Sequence, residues 1–63
     1  MLIQNKKTKE TWDIVILYLK PSEAKQLRDY LEALLDDPIP GEHHHVSSED
    51  YRREITVLIS DKE

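Results

Sequence analysis

One stretch of this chain limits the possible folds more than any other. Residues 11–20 are rich in β-branched and aromatic side chains and predict a strand. Alternation along that strand places Trp12, Ile14, Ile16 and Tyr18 on one face and Asp13, Val15, Leu17 and Leu19 on the other. Neither face is polar through the middle, so we expect both faces to be covered.

The chain is short and has nothing obvious to reinforce it. Its 63 residues include no cysteine, which excludes disulfides and thiolate metal sites. A domain of this size buries only about 60% of the surface that its unfolded chain exposes. With a single helix available to cover the strand, the second face is expected to meet another subunit. The sequence therefore predicts a homodimer whose interface is formed by one of the two faces.

The remaining elements follow from local signals. Residues 2–5 predict a short strand, and residues 6–9 a polar turn. The helix begins at Lys20-Pro21, since proline suits a first helical position, and it ends at Asp36-Asp37, before Pro38. Its apolar stripe comprises Ala24, Leu27, Leu31, Leu34 and Leu35, with Tyr30 at the flank. Residues 47–51 suggest a helical turn, residues 53–60 a last strand, and residues 61–63 a frayed tail.

These elements predict one α+β domain over residues 1–63. Its order is ββαβ, a three-stranded sheet with one helix packed on one face, completed by a homodimer. The second and last strands are expected to run parallel, because the helix connects them. Which of the other two strands pairs with the last one is left open.

Charge and hydropathy exclude several classes of function. The net charge is -4, and an acidic chain repels a phosphate backbone, which disfavours nucleic-acid binding. The longest apolar run is the six residues from Ile14 to Leu19, against the ~20 needed to span a membrane. The N-terminal residues do not have the pattern of a signal peptide. A cytoplasmic protein with no membrane association is expected.

Three consecutive histidines begin the only chemically distinctive segment. In an extended chain, His43 and His45 point the same way and His44 points the opposite way. With Glu49 and Asp50 they offer nitrogen and oxygen ligands for zinc or nickel. A metal-binding module that uses His43 and His45 with Glu49 or Asp50 is the alternative function, and a metal-dependent hydrolase is a variant of it. A separate catalytic hypothesis takes a histidine near a carboxylate as general base and Ser47 or Ser48 as nucleophile.

The same segment also has a structural interpretation. The histidine rings would cover the end of the sheet and bond to loop carbonyls or neighbouring carboxylates. His44, Tyr51, Arg52 and Arg53 are the candidate residues for contacting a ligand or partner. No catalytic residue and no required cofactor is predicted from the spacing, which lacks a nucleophile elbow and a glycine-rich phosphate loop.

Most of the chain, about residues 14–60, resembles a type of small uncharacterised bacterial or phage protein. The resemblance rests on the helix residues from Glu23 to Pro38, on His43-His44-His45-Val46-Ser47-Ser48 with Asp50-Tyr51, and on Glu54-Ile55-Thr56-Val57. Where that pattern has threonine before the helix proline, this chain has Lys20, which predicts a weaker helix cap. The resemblance implies a bacterial setting and brings no activity.

The leading functional expectation is a non-enzymatic accessory or regulatory protein. It would act by docking on a partner protein or by sequestering a small ligand. The excess of apolar strand surface favours docking over catalysis.

Overall fold

A computed structural model describes residues 1–60, so the predicted tail at residues 61–63 lies outside the described part. Its elements are β1 (Ile3–Gln4), β2 (Thr11–Trp12), α1 (Pro21–Asp36), β3 (His43–Ser47) and β4 (Glu54–Leu58). β1 pairs with β2 and β3 pairs with β4, both antiparallel, in two separate two-stranded sheets. The α+β class predicted from the sequence is therefore correct.

The first hairpin, formed by β1 and β2, is closed by a turn built around Asn5. Its side-chain Oδ1 accepts hydrogen bonds from the backbone N–H groups of Lys7 and Thr8, at 2.9 and 3.0 Å. Its backbone N–H donates to the carbonyl of Glu10, and its carbonyl accepts from Lys9. An asparagine side chain that mimics a backbone turn in this way explains the polar turn predicted for residues 6–9.

Helix α1 has the predicted limits. Pro21 is the first helical residue, Lys20 is the N-cap, and the Glu23 carboxylate accepts the backbone N–H of Lys20 at 2.8 Å. That bond ties the first turn to the cap residue, although lysine itself offers no acceptor side chain. The helix ends at Asp36, and the Asp37 N–H reaches the Ala33 carbonyl.

The core lies between α1 and the second hairpin, which is formed by β3 and β4. Leu34 of the helix and Val46 of β3 are the buried residues of the described chain, 2% and 3% exposed. Ile55 and Val57 of β4 are half-buried, while Glu54, Thr56 and Leu58 alternate with them on the exposed face. The hairpin therefore has one face toward the helix and one face toward solvent, as expected for an antiparallel sheet.

The prediction of a three-stranded sheet is wrong. The strand expected over residues 11–20 is paired only at Thr11–Trp12, and no parallel pairing joins β2 to β4. The β1–β2 register places Ile3 opposite Trp12, so residues 15–19 lie beyond the reach of residues 1–4. β4 pairs instead with β3, which the sequence did not predict as a strand.

The turn expected over residues 47–51 also differs. Ser47 is the last residue of β3, and residues 49–52 form the turn and bend that connect β3 to β4. The segment is a hairpin connection because Ser48 and Arg53 close it from both sides. The Ser48 N–H donates to the Arg53 carbonyl, and the Arg53 N–H donates to the Ser48 hydroxyl.

Candidate functional site

The first candidate surface is the apolar segment, defined here as residues 14–19. Its side chains are strongly exposed: Ile14 is 87%, Ile16 70% and Tyr18 90% exposed. The alternating residues Val15 and Leu17 are 41% and 48% exposed, so neither face of the segment is covered. All the residues predicted for a dimer interface therefore lie on one accessible stretch, with Trp12 beside it at 39% and Leu19 half-buried.

The backbone of the apolar segment is also unpaired. Within residues 1–60, no hydrogen bond joins residues 14–19 to any other group. Peptide groups in a folded protein normally find partners in secondary structure, side chains or water. Here six successive residues offer N–H and C=O groups beside exposed apolar side chains, which is the property of an unprotected strand edge.

A cavity of about 570 Å³ lies along this segment. It is lined by Trp12, Val15–Leu19 and Glu23 on one side and by Val46–Ser48 and Arg53–Ile55 of the second hairpin on the other. A second, shallower depression of about 380 Å³ lies on the helix, lined by Leu19, Ala24, Leu27, Arg28, Leu31, Glu32 and Leu35. Leu19 belongs to both, so the accessible apolar surface continues from the segment onto α1.

This continuity divides the predicted helix stripe in two. Leu34 is buried and Leu27 is half-buried, whereas Leu31 and Leu35 are 40% and 69% exposed. Tyr30, which was predicted to lie at the flank, is half-buried against β3 instead. The helix thus uses one edge of its stripe for the core and leaves the other edge accessible.

The second candidate surface is formed by the histidines of β3. His43 and His45 are exposed on the outer face of the hairpin, with ring centroids 5.0 Å apart at an interplanar angle of 78°. His44 faces the helix and stacks on Tyr30, with centroids 4.8 Å apart and planes at 10°. The alternation predicted for an extended chain is confirmed, and it is produced by a regular strand.

Each histidine has a nearby oxygen. His43 Nδ1 is 3.2 Å from the Gly41 carbonyl oxygen, and His45 Nδ1 is 2.8 Å from Thr56 Oγ1 and 3.4 Å from Glu54 Oε2. His44 Nε2 is buried and lies 3.4 Å from Glu42 Oε1, without hydrogen-bond geometry. These contacts agree with the structural interpretation, in which rings bond to loop carbonyls and carboxylates.

The carboxylates predicted to complete a metal site have other partners. Glu49 Oε2 lies 3.3 Å from Lys20 Nζ, and Asp50 accepts the Ser48 hydroxyl at 2.6 Å and the Arg52 N–H at 3.1 Å. Within residues 1–60, no group of three or more His, Asp and Glu side chains is arranged to hold a metal ion. The two outer histidines are together, but Glu49 and Asp50 do not join them.

The loop between β3 and β4 is organised by Asp50. The hydrogen bond from Ser48, helped by the bond from the Arg52 N–H, holds the pKa of this exposed carboxyl below its usual value of 3.8. Tyr51 has φ of +58°, in the left-handed region, and is 85% exposed. Tyr51, Arg52 and Arg53 are exposed in the connection between β3 and β4, at the end of the hairpin away from Gly41.

A hydrolytic relay is not formed by His45. A relay needs the nucleophile on one ring nitrogen and the orienting carboxylate on the other. Thr56 Oγ1 and Glu54 Oε2 both lie near Nδ1 of His45, so the nucleophile and the carboxylate are not on different ring nitrogens.

The sequence did not predict the contacts of Glu54 and Thr56 with His45, or the stacking of Tyr30 on His44. The alternation of Glu54 and Thr56 with Ile55 and Val57 was the available signal, once β3 is recognised as the partner strand.

Comparison with known proteins adds no assignment: no protein-family model, curated protein or solved structure matches this chain significantly. The resemblance to small bacterial or phage proteins stays a prediction. Within the described residues, no helix is long and apolar enough to cross a membrane.

Proposed function

We propose that this chain is a small, non-enzymatic, cytoplasmic accessory protein that acts by docking through its apolar segment. The polypeptide onto which it docks is a second copy of itself, so the working unit is a homodimer. The observation that supports this proposal most directly is the combination, in residues 14–19, of exposed apolar side chains with an unpaired backbone.

The first argument for a second copy is geometric. Two copies of a strand that pair antiparallel about a two-fold axis place one residue of each copy opposite its equivalent. With Ile16 on the axis, Ile14 lies opposite Tyr18 and Val15 lies opposite Leu17. Aromatic and β-branched cross-strand pairs of this kind each contribute roughly 0.2–1 kcal/mol relative to alanine pairs.

The second argument is electrostatic. The uncharged segment is bounded by Asp13 at one end and Lys20 at the other. Antiparallel pairing sets the acidic end of the segment in one copy beside the basic end in the other, whereas a parallel arrangement would bring like charges together. It also places Lys20 opposite Trp12, where an ammonium group over an indole ring is favourable.

The third argument is the small core. Leu34 and Val46 alone are buried among the hydrophobic residues of the described chain, while the segment and the adjoining helix edge are accessible. Exposed contiguous apolar surface in a soluble protein marks an interaction site. Pairing at the segment would bury apolar side chains of residues 14–19 and satisfy the peptide groups along one edge of the segment in one step.

The dimer would present two outer faces of β3 and two β3–β4 turns to a further partner protein or small ligand. Tyr51, Arg52 and Arg53 are exposed on those turns and are the proposed contact residues. A net charge of -4 disfavours a nucleic-acid partner.

Single cysteines test the proposed pairing cleanly, because the chain has none of its own. Ile16→Cys should form an intersubunit disulfide under mild oxidation with diamide, since paired strands place Cα atoms within bonding range of a disulfide. Ile14→Cys and Tyr18→Cys should each fail to cross-link alone and should cross-link when mixed. The products are separated by non-reducing electrophoresis.

Leu35→Cys is the matched control, because Leu35 is 69% exposed against 70% for Ile16 and lies on the helix. Cross-linking of Ile16→Cys no faster than that of Leu35→Cys would contradict the proposed pairing. Efficient cross-linking of Ile14→Cys alone would contradict this register.

A further inference from the structure

We propose that His43 and His45 form a two-histidine binding site for a late divalent transition-metal ion on the outer face of β3. The site needs neither Glu49 nor Asp50, and it does not depend on dimer formation. Four observations carry the inference: the shared face, the ring positions, the tautomers that the neighbouring oxygens impose, and the absence of competing bonds.

The strand places both rings side by side. His43 and His45 are alternate residues of a paired strand, opposite Leu58 and Thr56 of β4. Pairing holds their backbones on one face, so the rings stay near each other without a metal, 5.0 Å between centroids. Binding of an ion to both rings then costs little conformational entropy, because the rings are already held near each other.

The oxygen near each Nδ1 decides which nitrogen has a free lone pair. A carbonyl oxygen only accepts, so the Gly41 contact requires a proton on His43 Nδ1 and leaves the lone pair on Nε2. The Glu54 carboxylate, 3.4 Å from His45 Nδ1, favours the same tautomer, and in that tautomer Nδ1–H donates to the Thr56 hydroxyl oxygen 2.8 Å away. Histidines that bind metals are oriented in this way, with the other ring nitrogen donating to a carbonyl or carboxylate.

Both Nε2 atoms are therefore available as ligands on one exposed face. Within residues 1–60, neither of them makes a hydrogen bond or ion pair. Neutral imidazole nitrogen suits Zn²⁺, Ni²⁺ and Cu²⁺, and solvent would complete the coordination because no third protein ligand is in place. By the general order of stability of such complexes, Cu²⁺ should bind most tightly.

The chain contains an internal control. His44 is the same residue type between the two ligands, but it faces the helix and stacks on Tyr30. A site defined by the strand face must depend on His43 and His45 and not on His44. Nonspecific binding to a run of histidines would depend on all three about equally.

The test is calorimetric titration of untagged protein with Zn²⁺, Ni²⁺ and Cu²⁺ separately. The wild type should bind one ion per chain, and His43→Gln and His45→Gln should each lower the affinity at least about tenfold. His44→Gln should leave the affinity unchanged. Thr56→Val, which removes an oxygen beside His45 Nδ1 but no ligand, should also lower the affinity about tenfold.

A second readout locates the ion directly. Ni²⁺ or Cu²⁺ should broaden the ring signals of His43 and His45 in nuclear magnetic resonance spectra before that of His44, while far-ultraviolet circular dichroism checks that each variant is folded. Equal loss of affinity in all three glutamine variants, or simultaneous broadening of all three rings, would overturn the proposal. Absence of measurable binding by the wild type would overturn it as well.

Discussion

At the scale of single residues, neighbours with the same side chain have different surroundings. His44 stacks on Tyr30 at the helix, while His43 and His45 are exposed on the opposite face. The cause is the two-residue period of a strand, which sends successive side chains to opposite faces. A run of three histidines is therefore one packing residue between two accessible ones.

Asp50 supplies a prediction at this scale. Ser48→Ala removes the hydroxyl that donates to its carboxylate, so the pKa of Asp50 should rise toward 3.8. Because the folded-state pKa is depressed, the interaction stabilises the fold above the unfolded pKa. That contribution is lost as the pH falls through the folded pKa. The pKa of Asp50 is measured from its carboxyl chemical shift, followed from about pH 2 to 6 in the wild type and in Ser48→Ala.

Ser47→Ala is the control for that titration. Its hydroxyl precedes Ser48 by one residue and makes no hydrogen bond to Asp50. An equal rise of the Asp50 pKa in both variants, or no rise in Ser48→Ala, would show that the hydroxyl of Ser48 is not the cause.

At the scale of elements, the sequence predicted the helix, which depends on local signals, but it did not predict which strands pair. Helix α1 was predicted to its limits because Pro21 and Pro38 act on adjacent residues. β3 was missed because three histidines show no alternation of polarity. The strand over residues 11–20 was overpredicted, because β-propensity reports packing against paired neighbours, and no strand within residues 1–60 pairs with residues 14–19.

The candidate site likewise has features that follow from local geometry and features that depend on strand pairing. The common face of His43 and His45 followed from strand geometry alone, whereas the roles of Gly41, Glu54 and Thr56 required the pairing of β3 with β4. The exposure of the apolar residues could not be predicted, because it depends on which strands pair. The contact of Glu49 with Lys20 could not be predicted either, because it joins distant parts of the chain.

The helix–hairpin core gives a prediction for the elements. Leu34→Ala removes the most buried side chain and should lower the free energy of unfolding by about 2–5 kcal/mol. Leu35→Ala, one residue further and 69% exposed, should change it by no more than about 0.5 kcal/mol. Urea unfolding followed by circular dichroism compares the two. Equal losses would mean that the helix packs through a different edge.

At the scale of the whole molecule, the balance between covered and uncovered apolar surface is the central feature. The chain buries Leu34 and Val46 and leaves an apolar segment and a helix edge accessible. A domain of about this size is marginal when it folds alone. Association through residues 14–19 would extend the sheet hydrogen bonding and enlarge the buried surface together, which is why the homodimer is the centre of our proposal.

Sedimentation equilibrium across the micromolar range tests that claim most directly. The wild type should sediment at twice the 7.5 kDa mass of the chain. Ile16→Lys should be monomeric and folded, because it adds a charge at an exposed position and sets two ammonium groups face to face at the two-fold axis. Leu35→Lys, equally exposed but outside the segment, should remain dimeric. A wild type that is monomeric throughout, or a dimer that Ile16→Lys leaves intact, would contradict the account.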